Sequence, residues 1–275
     1  PRIMSRIIFK RLKPALPMLL VLCFMQATAD DRIFYRPTSN ITFAEKSAKT
    51  LTMGANLEFT PINFKAVWNI NEKIFMFGTF SFDKTNAYKS NKKFETDNSG
   101  FCLGAGAMNM KRTGYFTDYE ILGGIQQQRI NYKTQYMNQD DKNRDKLKTN
   151  YVKPFAQLNL YRVTRKYQMV FSTRLSFLYF ISYEYVTGNY DRKVNRFFQG
   201  KVLPLLDPTM TFTFSDLPLK KLMLNVQTGF SIPLLKLTHE VKSVNSSSRK
   251  DYWPLRCIFM VGVEYSIGHG TNKSK

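Results

Sequence analysis

The chain is poor in the residues on which most catalytic, metal and disulfide frameworks depend. It has two histidines and three cysteines in 275 residues. Three cysteines do not build a disulfide scaffold. Cys102 and Cys257 fall in separate strand patterns on different faces, so both are read as free, buried thiols. His239 and His269 lie far apart, and no spacing of histidine, cysteine and carboxylate suggests a metal site. Serines 243 and 246–248 stand near His239 without the G-x-S-x-G frame of an activated nucleophile. GAGAMN (104–109) does not follow phosphate-loop spacing. The expectation is therefore a chain that is not an enzyme, with no catalytic residue, cofactor or metal.

Glycine (14) and proline (11) are too few for a collagen-like or low-complexity chain. Acidic residues are also scarce: 20 against 41 lysines and arginines, a formal charge of +21. Such an excess suits anionic partners, whether nucleic acid, lipid head groups or lipopolysaccharide phosphates.

Long apolar runs are missing too. ALPMLLVLCFM, the longest, falls well short of the ~20 residues of a spanning helix. Arg2, Arg6, Lys10, Arg11 and Lys13 precede it and Ala27-Thr28-Ala29 closes it. A basic segment, a short apolar core and an A-x-A site read as a Sec signal peptide over 1–29, cleaved after Ala29. Lipid attachment at Cys23 is the second reading, with Leu22 where a lipobox wants a small residue.

What the chain does have is aromatic content (15%) and alternation with a two-residue period. LMLNVQTGFSIPL (222–234) places Leu222, Leu224, Val226, Phe230 and Ile232 on one face and Asn225, Gln227 and Ser231 on the other. That is a strand with one greasy face. Segments of this kind lie near 50–59, 62–70, 73–83, 100–110, 116–132, 150–162, 166–187, 206–214, 220–234 and 255–267. The run 167–186 (YQMVFSTRLSFLYFISYEYV) has no turn signal and far exceeds the ~5–6 residues of an ordinary strand.

Alternation cannot say whether the greasy face meets a core or lipid. The connections can. Short ones alternate with long ones at 84–99, 133–149, 188–205 and 235–254, as in barrels with tight periplasmic turns and free outer loops. The predicted fold is all-β: an antiparallel up-and-down transmembrane β-barrel of about ten strands, with eight or twelve as alternatives. It runs over 49–267, after an extended periplasmic lead-in (30–48) and before a polar tail (268–275). The rival is a secreted soluble barrel or sandwich that binds a lipid or nucleic acid.

If the greasy faces meet lipid, the polar faces line the lumen. They carry Glu58, Glu120, Glu184 and Glu264 with Lys65, Lys153, Arg174 and Arg256, a balanced set expected to pair and constrict the barrel. Ten strands leave little room for an aqueous channel. The long loops are net basic. Lys92, Lys93, Lys142, Arg144, Arg192, Lys193 and Arg196 are the candidates for contact with an anionic surface.

The chain resembles small outer-membrane β-barrel proteins of Gram-negative bacteria, especially a Bacteroidetes-type lineage with an OmpA-like or porin-like fold. The resemblance rests on YRPTSNITFAEKSAKTLTMG, where Tyr35, Pro37, Asn40, Phe43, Glu45 and Lys46 match that group's lead-in. PFAQLNLYRV, FSTRLSFLYF and LDPTMTFTF match its later strands. Many of those relatives carry a lipidated cysteine just before the Tyr-x-Pro segment; here Cys23 lies twelve residues ahead of Tyr35. The resemblance implies an outer-membrane location. The role expected from the chain's own residues is structural or in surface interaction, or that of a narrow, plugged pore. The expected partners are outer-membrane lipid, lipopolysaccharide and the barrel-assembly machinery, without nucleic acid. It implies neither catalytic residues nor an oligomeric state.

Overall fold

The computed structural model describes residues 41–42, 50–58, 62–89, 92–109, 116–136, 144–164, 167–186, 194–195, 198–214, 222–235, 237–243, 246–252 and 256–267. The chain divides into two units, 1–33 and 34–275, and every described residue belongs to the second.

Among the described residues thirteen strands follow one another: β1 (Leu51–Glu58), β2 (Ile62–Asn69), β3 (Ile74–Lys89), β4 (Lys92–Asn109), β5 (Asp118–Tyr136), β6 (Arg144–Val163), β7 (Gln168–Val186), β8 (Val194–Asn195), β9 (Val202–Phe214), β10 (Leu222–Pro233), β11 (Leu237–Ser243), β12 (Ser246–Tyr252) and β13 (Arg256–Ile267). Ten of them form the wall. The order β6-β5-β4-β3-β2-β1-β13-β10-β9-β7 closes on itself through β6–β7, and every pairing is antiparallel. This is a ten-stranded closed up-and-down barrel. Closure gives every wall strand a hydrogen-bonded neighbour on both sides. β11 and β12 form a separate hairpin between β10 and β13, and β8 adds two residues beside the end of β7.

Two connections at one end are set by local chemistry. Asn71 Oδ1 accepts from the amides of Lys73 and Ile74, both at 2.8 Å, and turns β2 into β3. Thr164 does the same between β6 and β7: its hydroxyl donates to the Tyr167 carbonyl at 2.7 Å and accepts from the Tyr167 amide at 3.2 Å.

The other end differs from the sequence reading. Residues 84–99 are not a loop: β3 and β4 stay paired as far as Lys89 opposite Lys92. β5 and β6 likewise continue to Gln135 opposite Arg144. These stretches lose the greasy face but keep the ladder, because backbone pairing does not require apolar side chains on either side.

The wall is turned inside out relative to a soluble protein. Leu57, Phe64, Trp68, Phe80, Leu103, Ile125, Phe177 and Val263 point outward and are exposed, Leu57 by 61% and Trp68 by 55%. Lys65, Glu120, Lys153, Arg174, Asp207 and Glu264 point inward and are buried. The outward face changes character along one register row. Phe80, Phe101, Gln127, Val152 and Tyr179 are cross-strand neighbours; the next row is Phe82, Ser99, Arg129, Asn150 and Ser182, and the next Lys84, Asp97, Asn131, Lys148 and Glu184.

β7 holds an irregularity that sequence alternation cannot register. The pairing slips by one residue between Asn150 and Tyr151, so Ile181 and Ser182 both face outward. Because strand side chains alternate, one extra residue exchanges the two faces beyond it. Tyr183 is therefore buried inside, and Glu184, expected in the lumen, lies on the outer side opposite Lys148. The reading of Glu184 as a lumen charge is corrected by this bulge.

Candidate functional site

The lumen is the site, and aromatic rings, amides and charged groups are buried in it. Glycines in β4 and β5 make the floor on which its aromatic rings lie. Phe77 sits opposite Gly104, and Phe75 opposite Gly106. A Cβ on Gly104 would fall 2.3 Å from the Phe77 ring and 2.4 Å from the Gly123 carbonyl; one on Gly106 would fall 2.3 Å from the Phe75 ring. The GAGAM alternation thus supplies ring space. Around these rings Val67, Cys102, Met108, Leu122 and Phe155 form one apolar cluster. Cys102 and Cys257 are both buried, and neither is in a disulfide.

A second apolar cluster lies toward the extended hairpin arms: Ile130, Leu147, Tyr151, Leu178, Phe180, Tyr183, Phe198, Leu203 and Leu205. Phe198 belongs to the β7–β9 connection rather than to the wall. A turn folds it inward, with the Gly200 amide donating to the Phe180 carbonyl at 2.8 Å. Gly200 has φ +74°, a left-handed conformation that favours glycine. The Phe198 ring meets Tyr183 edge-on at 4.8 Å and Phe180 at 5.6 Å.

Charged groups are interleaved with the rings. Lys65 pairs with Glu264, both buried. The pair spans Gly54 of β1, which is the direct cross-strand neighbour of both residues. Lys153 and Asp207, fully buried, lie 3.9 Å apart. Arg174 stands opposite both Gln157 and Asp207; its Nε and Nη2 donate to Gln157 Oε1 at 2.9 and 2.7 Å. Its guanidinium also lies 4.4 Å above the Phe155 ring. Glu120 accepts from the Tyr161 hydroxyl and, at 2.9 Å, from Asn159 Nδ2.

Of the eight expected lumen charges, Lys65, Glu120, Lys153, Arg174 and Glu264 are buried inside. Arg256 occupies an inward register position, half-buried, opposite Ser231. Glu58 ends β1 opposite Met260, and its side chain lies outside the described set. Asp207 was not anticipated, because LLDPTMTF has only a short alternating stretch; following 213, 211 and 209 backward leads to it. Gln157 and Asn159 carry no charge to draw notice, yet each is hydrogen-bonded to several partners.

Two residues of the lead-in also lie in the lumen. Ile41 and Thr42 are buried, with main-chain atoms bonded to Gln157, Asn159 and Lys65. Among the anionic-surface candidates, Lys93 pairs with Glu95 at 2.7 Å, and Lys92 and Arg144 stand at strand ends opposite Lys89 and Gln135. Lys142, Arg192, Lys193, Arg196 and Cys23 lie outside the described residues. Among the described residues, no group of three or more histidine, cysteine or acidic side chains is placed to hold a metal ion.

No protein-family model matches the chain, and no curated protein does. Solved structures do. The outer membrane protease OmpT from Escherichia coli is similar at TM-score 0.48 and 8% identity, over 80% of this chain and 94% of its own. The translocator domain of autotransporter NalP from Neisseria meningitidis is similar at TM-score 0.46 and 11% identity, over 78% and 86%. The expectation that the chain is not an enzyme is corrected here: one of the similar structures is an outer membrane protease. At these identities the likeness is one of fold and carries no activity across.

Proposed function

We propose that the chain is a bacterial outer-membrane β-barrel whose lumen is sealed and whose paired arms stand out on the cell surface. One observation carries this reading: apolar side chains are exposed around the wall while lysine, arginine and carboxylates are buried inside it. Burying a side chain such as Phe64 or Leu103 is worth about 1.5–3 kcal/mol each. In water a whole belt of them would forgo that stabilisation, and in acyl chains it would not. A soluble barrel would hold the opposite arrangement. The closed ladder also meets the bilayer's demand that every backbone group be satisfied internally. An export leader over 1–29, as the sequence reads, suits the same location.

The filled lumen supports a barrel that does not conduct. Rings, amides and ion pairs occupy the space that an aqueous channel would need, consistent with side chains filling barrels of this size. The arms support a surface role. Past the apolar belt, Arg129, Lys133, Lys146 and Lys148 are exposed on the outer face, interspersed with Glu95, Asp97 and Glu184. Their position suits contact with phosphates of lipopolysaccharide, alongside the basic residues of the connections.

Two measurements test the reading. The protein should fractionate with detergent-extracted outer membrane and migrate differently on gels before and after boiling; recovery in the soluble periplasm overturns the location. In planar bilayers it should give no large, steady channels, and their appearance overturns the sealed lumen.

A further inference from the structure

The hydrogen bonds that hold Ile41 and Thr42 share one property: each falls on a main-chain atom. Gln157 treats Ile41 as a neighbouring strand would. Its Oε1 accepts from the Ile41 amide at 3.3 Å, and its Nε2 donates to the Ile41 carbonyl at 2.6 Å. Asn159 Nδ2 donates to that same carbonyl at 2.9 Å, and Lys65 Nζ donates to the Thr42 carbonyl at 2.8 Å. The Ile41 side chain enters the apolar cluster of Val67, Phe75, Phe77 and Leu122.

The reading groups are themselves held in place. Gln157 Oε1 is fixed by the Arg174 guanidinium, and Gln157 Nε2 donates to Asn159 Oδ1 at 2.7 Å. Asn159 is held by Glu120 at 2.9 Å, which also accepts a hydrogen bond from the Tyr161 hydroxyl. Lys65 is held by Glu264. All are buried. An amide that pairs with both the N–H and the C=O of one residue recognises extended backbone whatever the sequence, as a strand edge does. Groups fixed beforehand lose little freedom when they bind.

We infer that the lumen contains a peptide-binding site, built from Gln157, Asn159 and Lys65. It reads the main chain of an extended segment and accepts one aliphatic side chain at the position of Ile41. The chain's own residues 41–42 occupy it. An extended peptide of the same kind, supplied from outside, takes the site when that segment leaves. The inference goes beyond the sealed-lumen reading and can fail separately from it: a conducting barrel can still capture peptide, and a silent one can refuse it.

The test uses the full chain with residues 45–48 replaced by a protease recognition sequence. After folding in detergent the barrel is nicked, so that residues 41–42 belong to a separate fragment. Gel shift and mass spectrometry follow the fragment, and a fluorescent peptide spanning residues 35–47 is added. The expected result is that the fragment copurifies with folded barrel and exchanges for the labelled peptide. Ile41→Asp in the peptide should weaken capture at least tenfold. Gln157→Leu in the barrel should do the same. The peptide substitution leaves the barrel untouched, so it decides the matter even if Gln157→Leu does not fold. Loss of the fragment without capture of labelled peptide overturns the site. So does a fragment that stays but never exchanges, or capture indifferent to Ile41→Asp.

Discussion

The Lys65 ammonium and the Glu264 carboxylate meet over Gly54, joining β2 to β13 across the strand between them. β1 and β13 are the first and last strands of the wall in chain order, so this pair fastens the seam where those two strands meet. A Cβ on Gly54 would lie 2.7 Å from Glu264 Cγ, so glycine at this position gives the carboxylate its place. Lys65→Met should cost about 3–5 kcal/mol, because it leaves Glu264 as a buried charge that has lost its partner. Lys65→Met with Glu264→Leu should recover most of that loss. Urea midpoints of folded barrel in detergent measure both; equal costs for the single and the double variant would show that the pair does not act as a unit.

The fit of Phe77 over Gly104 gives a second expectation. Gly104→Leu has no room, since both a ring and the Gly123 carbonyl occupy the Cβ position. Overpacking of this kind costs about 1–3 kcal/mol. Phe77→Ala combined with Gly104→Leu should relieve only part of it, because the carbonyl remains. Unfolding midpoints of the two singles and the double decide this, and strict additivity would sink the proposed fit.

The bulge at Ile181 reverses two neighbours. Tyr183 lies in the lumen with Phe180 and Phe198, and Glu184 lies outside. Tyr183→Ala should destabilise by about 3–5 kcal/mol, as truncation of a buried aromatic does. Glu184→Ala should stay within about 0.5 kcal/mol. An uninterrupted alternation would give the reverse ranking, so chemical denaturation of the two variants separates the registers directly.

Membrane orientation can be read by fluorescence. Tryptophan introduced at Phe64 or Leu103, both exposed on the outer wall, should be quenched strongly by lipids brominated on their acyl chains. Tryptophan at Tyr151, which is fully buried in the lumen, should not. Equal quenching at the three positions would mean that the outer wall does not face acyl chains.

Much of this was legible in the chain itself. The ten alternating segments correspond one for one to the ten wall strands, and LMLNVQTGFSIPL is the core of β10, with Asn225, Gln227 and Ser231 buried inside. Alternation is a local property, fixed by the two-residue period of a strand, and so it survives in the sequence. Lys65, Glu120, Lys153, Arg174 and Glu264 were likewise placed inward by counting along their strands. Counting fails wherever an irregular residue enters, and that is why Glu184 came out on the wrong side. It also fails for partners: no local pattern tells Lys65 that Glu264 is two strands away, or that the Phe77 ring needs a glycine at 104. The arms beyond Phe82 carry no apolar face, so their pairing left no trace in hydropathy. The sequence by itself determined the strands and the face each one presents. Tertiary closure decided which charges meet, which register β7 keeps after Ile181, and that Ile41 and Thr42 lie inside, because those depend on contacts between residues far apart in the chain.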